Sequence, residues 1–366
     1  MSGSPSNPEK NPQFWRTVKS DFREGGHFRT LARDFKDIRE FYLDDERKAR
    51  LARMGSLKRW FVQAWWLLKM MFFRLSSTRR LLLLLGIILI LTRVSTNNSN
   101  SDSPVLGLLM LLFVLMLELK DKLLARDELA EGRAIQYALM PETSPKVPGW
   151  ELWLYTRPAN DVGGDLLDFL PISPQRFGIA IGDVMGKGLG AALFMAKLQA
   201  TLRALAADFE SLAALGEKIN RIFHRDGLPN RFASLSYLEI TPGNGRVRIL
   251  NAGHLPAIAI HNDGIEEMPK GGMALGLSAR ARYGEQQIDL APGDLLLIYS
   301  DGLTEACDES GRFFDDERLL ALLPQFSGRP AAETGQKLLE TVNRFIGEAR
   351  PHDDLTLAVL RRMEKT

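Results

Sequence analysis

The sequence predicts an α+β fold: an antiparallel β-sandwich flanked by helices, preceded by an N-terminal helical membrane hairpin and a linker helix. Seven short β-like runs follow Trp150, several in consecutive hairpin-like order, and they outnumber the helical blocks. A doubly wound parallel sheet would need a helix after nearly every strand. The hairpin is predicted by two apolar runs between residues 80 and 120.

Charge divides the 366-residue chain in two. Residues 1–80 carry 18 Lys or Arg against 9 Asp or Glu, a net of +9, and residues 81–366 carry 29 against 36, a net of −7. This favours a basic surface-binding arm, residues 1–58, joined to an acidic body. Its anionic partner is a membrane surface or nucleic acid; nucleic acid is disfavoured because no helix-turn-helix, zinc or RNA-binding motif is present. The single cysteine, Cys307, excludes an intrachain disulfide and fits a reducing cytoplasm.

Residues 59–119 are predicted to associate with membrane lipid. The stretch 60–75 is dense in aromatics yet contains Lys69 and Arg74, a composition typical of a helix at the lipid headgroups. A buried amphipathic helix is the alternative for this stretch.

The two apolar runs are residues 81–92 and 105–117. Each reaches only about 20 Å as a helix, against a hydrocarbon core of roughly 30 Å. Basic residues at both outer ends, with an almost uncharged loop between, place both ends in the cytoplasm. We therefore expect a transmembrane hairpin over about 80–95 and 104–119 in the cytoplasmic membrane, with the body facing the cytoplasm. A soluble helical hairpin and a re-entrant loop remain alternatives.

Residues 118–140 have good helix formers and apolar positions at three-to-four spacing. They predict a linker helix that ends at Pro141. A homodimer through this helix is a further expectation, although Gly132 and several alanines make a weak seam.

The body, residues 141–366, is predicted to contain seven strands and two helical blocks. The β-like runs are 150–156, 176–184, 232–240, 246–253, 256–262, 294–302 and 354–362. The first helical block covers 189–209 and 211–225, and the second lies near the C-terminal end.

Acidic residues stand where these strands begin or end, beside glycine or another acid. They are Asp165 and Asp168 in VGGDLLD, Asp183 in IGDVMGKG, Asp301 in YSDGLTEA, and Asp353 and Asp354 in HDDLTLAVL. Carboxylates converging on one sheet rim would repel one another unless cations neutralised them. Oxygen ligands without nearby Cys or His select Mg²⁺ or Mn²⁺ over zinc. The alternative, that each Asp caps a turn, is weakened by their number.

The same residues carry a family resemblance. VGGD-x-x-D, GDV-x-G-K-G, NAGH-x-P, SDGLTEA and DDLTL resemble, in that order, the motifs of PPM-type (protein phosphatase 2C-like) serine/threonine phosphatases. They are most similar to the bacterial SpoIIE/RsbU-like branch, which acts on regulators of sigma factors. The resemblance covers about residues 135–362 and implies a β-sandwich with a two-metal centre at one end.

The resemblance also implies roles for individual residues. It makes Asp183 the bridge between two Mg²⁺ or Mn²⁺ ions, and Asp301 and Asp353 further ligands. The Val184 backbone carbonyl would be another ligand, and Asp165 would hold a metal-bound water or a third ion. Asp168 and Asp354 would not bind the metals themselves but would stabilise the residues that do.

Other residues carry open interpretations. His254 either donates a proton to the departing serine oxygen or stabilises the turn of NAGH-x-P. Arg157 either holds the substrate phosphate or is a surface arginine. Cys307 lacks the glycine-rich anion cradle of a thiolate phosphatase, and GDVMGKG lacks the spacing of a nucleotide phosphate loop.

Together these features predict a membrane-tethered, metal-dependent protein phosphatase. Its substrate would be a phosphoserine or phosphothreonine on a cytoplasmic regulator, by resemblance an anti-sigma-factor antagonist. Two alternatives stay open: a non-enzymatic membrane scaffold with a phosphatase-like fold, and a metal-dependent hydrolase of a small phosphoester.

Overall fold

The structure is a computed structural model that describes residues 50–51, 54–96, 103–226 and 231–364. Almost all of the basic arm, and the centre of the loop between the apolar runs, lie outside these ranges. The chain separates into two compact units, Met1–Lys122 and Leu123–Thr366.

Three helices occupy the first described part of the chain: α1 (Ser56–Arg74), α2 (Ser77–Thr96) and α3 (Ser103–Leu139). The α3 helix joins the second apolar run and the predicted linker in 37 continuous residues. The good helix formers of the linker extend the apolar helix without a break.

None of the helices in the described ranges is both long enough and apolar enough to cross a membrane. The α2 helix contains Arg79, Arg80 and Arg93 within its 20 residues, so its uncharged stretch is shorter than the hydrocarbon core. The predicted two-pass hairpin over 80–95 and 104–119 is therefore not supported.

The body is a sandwich of two five-stranded antiparallel sheets. The first has the order β1-β10-β9-β6-β7 and the second β2-β3-β4-β5-β8. The strands are β1 (Trp150–Arg157), β2 (Leu166–Ser173), β3 (Arg176–Gly182), β4 (Leu235–Ile240), β5 (Arg246–Ala252), β6 (Ile258–Ile260), β7 (Ile265–Glu267), β8 (Glu285–Asp289), β9 (Leu295–Tyr299) and β10 (Leu355–Arg362). The helices are α4 (Leu189–Leu205), α5 (Leu212–Arg225), α6 (Asp316–Leu322) and α7 (Ala331–Ile346). The predicted α+β sandwich is confirmed.

Side-chain alternation builds the layers, as β9 shows. Leu296 and Ile298 point into the core between the sheets, whereas Leu295, Leu297 and Tyr299 pack in the cluster that includes residues of α6 and α7. Because successive side chains on a strand face opposite ways, an uninterrupted apolar strand can serve two cores. The second sheet is covered in the same way by α4 and α5.

The close approach of α7 to β1 requires a glycine. A β-carbon at Gly335 would overlap the indole of Trp153, which is itself buried. The helix therefore sits closer to the sheet than any side chain would allow.

Replacement of Gly335 by alanine should destabilise the body by about 1–3 kcal/mol because the core has no room for the methyl group. The matched control is Gly132→Ala, since Gly132 is also helical and has no atom within 4 Å of its β-carbon position. That control should be neutral or stabilising. Chemical denaturation of both variants measures the difference; equal stabilities would contradict the packing described.

Candidate metal centre

Antiparallel pairing brings the predicted aspartates to one end of the sandwich. In the second sheet Leu166 pairs with Gly182, so the start of β2 and the end of β3 share an edge. Asp165 and Asp183 are the adjacent residues along the chain. In the first sheet Tyr299 pairs with Leu357, which brings the segment after β9 close to the segment before β10.

A hydrogen bond joins the two sheets at this end. The Thr356 hydroxyl of β10 donates to a carboxylate oxygen of Asp165 at 2.5 Å. Thr356 also lies 2.8 Å from the hydroxyl of Thr156 on β1. The aspartates of both sheets therefore face one shared space.

Asp354 holds the loop that leads into Asp165. Its carboxylate is buried and accepts the backbone N–H groups of Ala159 at 2.7 Å and Gly164 at 2.6 Å. These bonds fix the backbone on one side of the site. Asp354 therefore acts on the loop.

Gln136 of helix α3 binds the same loop from the other side. Its side-chain amide donates to the Gly163 carbonyl at 2.8 Å, and its carbonyl accepts the Gly163 N–H at 3.0 Å. Both bonds are buried. The C-terminal part of α3 is thereby tied to the residues that precede Asp165.

The Asp183 backbone is held by a buried hydrogen-bond chain. Its N–H donates to the Ser234 hydroxyl at 3.1 Å, which lies 2.8 Å from Nδ1 of His254. The Nε2 atom of His254 lies 3.1 Å from the Tyr299 carbonyl, which can only accept. Nε2 therefore carries the proton and Nδ1 accepts from Ser234.

The same chain bears on the interpretation of His254. Burial lowers the pKa of His254 to about 4, and both ring nitrogens are engaged within the protein. His254 therefore anchors Ser234 and, through it, Asp183. The arrangement offers no support for proton donation to a substrate.

The carboxylates at this end of the sandwich repel one another. Burial, Asp301 and Asp353 raise the pKa of Asp183 to about 7. Burial and the charges of Asp183 and Asp354 raise the pKa of Asp165 well above its usual range. Burial and the charge of Asp353 raise the pKa of Asp301. The cluster is therefore short of positive charge.

One cation of the protein already contacts the cluster. The Lys187 ammonium lies 3.0 Å from the Asp353 carboxylate and donates to the His352 carbonyl at 2.8 Å. Lys187 belongs to the GDVMGKG motif.

The donor set fits hard divalent ions. Burial and neighbouring acids raise the pKa of these carboxyl groups, and a bound cation would favour their ionised form. Within the described ranges, however, no three His, Cys, Asp or Glu side chains are arranged closely enough to hold a metal ion. The residues have the chemistry of a metal centre, but their side chains do not close around one point.

Two of the predicted residues lie elsewhere. Asp168 is fully buried and pairs in bidentate fashion with Arg203 of helix α4, at 2.7 and 2.8 Å. Arg157 donates to the Asn343 side chain of helix α7 at 3.0 Å. Both contacts join a strand to a helix.

Several site residues escaped sequence reasoning, namely Gln136, Ser234, Thr356 and Lys187. Lys187 and Thr356 belong to recognised motifs, GDVMGKG and DDLTL, which were a possible signal. Gln136 and Ser234 act through contacts with residues far away in the chain, for which the local sequence has no signal.

A β-carbon at Gly302 would overlap the backbone of Asp354. The turn after Asp301 therefore packs directly on the segment that carries Asp353. The glycine of the SDG motif is what allows the two acidic segments to meet.

The family model described as Stage II sporulation protein E (SpoIIE) matches residues 173–363, more than half of the chain. The chain belongs to the SpoIIE family. The matched region contains Asp183, Asp301, Asp353 and the Ser234–His254 chain. Asp165 lies just before it.

Curated relatives agree with this membership. Protein IcfG of Synechocystis sp. is 27% identical in a 274-residue alignment that covers 67% of this chain and 43% of IcfG. Phosphoserine phosphatase RsbU of Bacillus subtilis is 25% identical over 239 residues, 65% of this chain and 70% of RsbU. The chain thus spans less than half the length of IcfG.

Solved structures support the fold. The SiaA-PP2C domain of Pseudomonas aeruginosa aligns with a TM-score of 0.57 and 20% identity, over 66% of this chain and 98% of that domain. At this identity the likeness concerns the PP2C-type fold.

The raised pKa of Asp183 predicts how the metal-free protein responds to pH. Its folded pKa of about 7 lies above the usual 3.8, so the folded state binds the extra proton, and stability is lost as pH rises through 7. Asp183→Asn should therefore be more stable than wild type by roughly 2–4 kcal/mol at about pH 8.

The measurement is chemical denaturation in a chelator from about pH 5 to about pH 8. Asp289→Asn is the control, because Asp289 is exposed and lies outside the cluster. A stability gap between Asp183→Asn and wild type that did not widen with pH would argue against mutual repulsion.

Ser234→Ala should lower the turnover number by about tenfold, because it leaves the Asp183 N–H and His254 Nδ1 without partners. The matched control is Ser236→Ala on strand β4, since the buried Ser236 hydroxyl has no hydrogen-bond partner in the part of the chain that the structure describes. Steady-state kinetics and Mn²⁺ titration compare the two. Equal losses in both variants would mean that the Ser234 chain has no special role.

Proposed function

We propose that this protein is a metal-dependent phosphatase that hydrolyses phosphoserine or phosphothreonine on a regulatory protein. The observation that carries the proposal is the convergence of Asp165, Asp183, Asp301 and Asp353 at one end of a PP2C-type sandwich. Each of these residues stands at the end of a different strand. Membership of the SpoIIE family and similarity to a phosphoserine phosphatase support it.

In this proposal Asp183, Asp301 and Asp353 would hold two Mg²⁺ or Mn²⁺ ions, with the Val184 backbone carbonyl as a further ligand. Asp165 would hold a water or a third ion. When bound, such ions supply an activated water for in-line attack on phosphorus and stabilise charge on the leaving oxygen.

The chain's own residues position these ligands. Ser234 and His254 fix the Asp183 backbone, while Asp354 and Gln136 fix the loop before Asp165. A site held by packed and hydrogen-bonded neighbours keeps its geometry during reaction.

Lys187 takes part in the same site. It neutralises part of the charge beside Asp353. At the rim, an ammonium group also attracts a phosphate dianion.

The substrate class is a phosphorylated cytoplasmic regulator, in the SpoIIE/RsbU-like branch an anti-sigma-factor antagonist. We also place the activity at the cytoplasmic face of a membrane, with a homodimer through α3 as its assembled form. The exposed Ile135 and Leu139, four residues apart on one side of α3, are compatible with such pairing.

Two other functions have less support. A non-enzymatic scaffold would not need an acidic residue at every position to which the family resemblance assigns a ligand. A hydrolase of small phosphoesters shares the site chemistry and is separated from a protein phosphatase by substrate preference alone.

Asp183→Asn and Asp301→Asn should each lower phosphate release from a phosphoserine protein by about a thousandfold or more, because each removes a charge that holds the ions. Asp289→Asn should match wild type. The assay follows Mn²⁺-dependent phosphate release, with p-nitrophenyl phosphate as a small substrate beside it. Activity retained in both cluster variants would rule out the proposal.

A further inference from the structure

We propose that helix α1 lies in an anionic membrane interface, with one apolar face in the lipid and its lysines at the headgroups. This proposal concerns the first unit of the chain alone. It holds or fails independently of the phosphatase chemistry.

The apolar face of α1 is formed by Trp60, Phe61, Trp65, Leu68 and Met71. At 100° per residue these positions fall within an arc of about 140°. Trp60, Phe61 and Trp65 are 64%, 66% and 67% exposed, and Leu68 is 63% exposed. Large aromatic side chains seldom remain so exposed on a soluble surface, and contiguous apolar patches mark interaction sites.

The helix also has a second, packed side. Leu67 is only 8% exposed and lies outside the arc. Trp66, which is intermediate in exposure, lies on nearly the opposite side of the helix from the centre of the arc. Of the six large apolar side chains that α1 exposes, five lie in the arc, and Phe73, in the last turn, lies outside it near Trp66.

Lysines border that face. Lys58 and Lys69 are 11 residues apart, about three helical turns, so they lie along one line at its edge. Both are exposed. Residues 51–80 contain seven Lys or Arg and no Asp or Glu. This pattern suits an anionic lipid surface, where aromatic rings enter the interface and lysines reach the headgroups.

The neighbouring helices α2 and α3 expose further apolar surface. They contact each other through Gly86 and Gly107, where a β-carbon on Gly107 would lie 2.6 Å from the Gly86 carbonyl oxygen. Arg79 of α2 binds Glu118 of α3 at 2.7 Å. Their exposed side chains include Leu81, Leu84, Leu85, Ile88, Leu91, Leu106, Leu108, Leu109, Leu112, Phe113, Leu115 and Met116.

The breadth of this surface favours lipid over a second copy of the chain. Positions 81–91 of α2 and 105–119 of α3 expose apolar residues over arcs of roughly 160° or more. A helix–helix dimer covers a narrower seam. Lipid covers a broad arc as readily as a narrow one, and the flanking cations match its charge.

The test is flotation of the full-length protein, synthesised in the presence of vesicles. The vesicles contain phosphatidylcholine alone or phosphatidylcholine with phosphatidylglycerol. The double variant Trp60→Ser/Trp65→Ser should bind mixed vesicles at least about tenfold more weakly than wild type. Trp66→Ser, the same substitution on the other side of α1, should bind like wild type.

A second variant tests the charge. Lys58→Gln/Lys69→Gln should lose binding to the mixed vesicles, by roughly fivefold per lysine, and should not change binding to phosphatidylcholine alone. Circular dichroism and thermal unfolding of each variant report that the body is folded.

Equal flotation of the Trp60→Ser/Trp65→Ser variant and wild type would overturn the proposal. So would a dimer, found by analytical ultracentrifugation without vesicles, that the same double variant abolishes, because the face would then belong to a second copy.

Discussion

Mutual repulsion among buried carboxylates is the constraint on which the end of the sandwich depends. Asp165, Asp183 and Asp301 each have a raised pKa because each is buried beside other acids. A protein gains nothing in stability from such a cluster unless cations neutralise it. The surrounding structure is accordingly organised to hold these groups together, through backbone bonds to Asp354 and the chain from Tyr299 to Asp183. The carboxylates that would hold the cations are therefore the same groups that destabilise the metal-free protein.

The fold supplies what the cluster requires. Antiparallel pairing places the ends of consecutive strands on one edge, and two stacked sheets bring two such edges together. Thr356 then links the sheets by its bond to Asp165. The C-terminal part of α3 reaches the same place through Gln136, so the helix that follows the apolar segment touches the loop that leads into the site.

The sequence patterns predicted the features that depend on residues close together in the chain. All seven predicted strands are present, and they could be predicted because a strand buried on two faces has an apolar run bounded by turn residues. Strands β7 and β8 were not predicted, since their polar sequences, IEE and EQQID, suit the sheet edges they occupy. Strand β2 was not predicted because Asp168 and Pro171 interrupt its apolar run. Ser234 and Gln136 depend on partners distant in the chain, so no local pattern could reveal them. Arg79, Arg80 and Arg93 weigh against the predicted hairpin because they limit the uncharged stretch of α2 to residues 81–92.

The central claim is that divalent cations relieve the carboxylate repulsion, and proton release measures it most directly. Calorimetric titration of the full-length protein with Mn²⁺, in buffers of different ionisation enthalpy, counts the protons displaced. Since the pKa of Asp183 is about 7 without metal, binding should release about one proton or more near pH 6 and almost none near pH 9. Binding with no proton release at either pH would contradict the account.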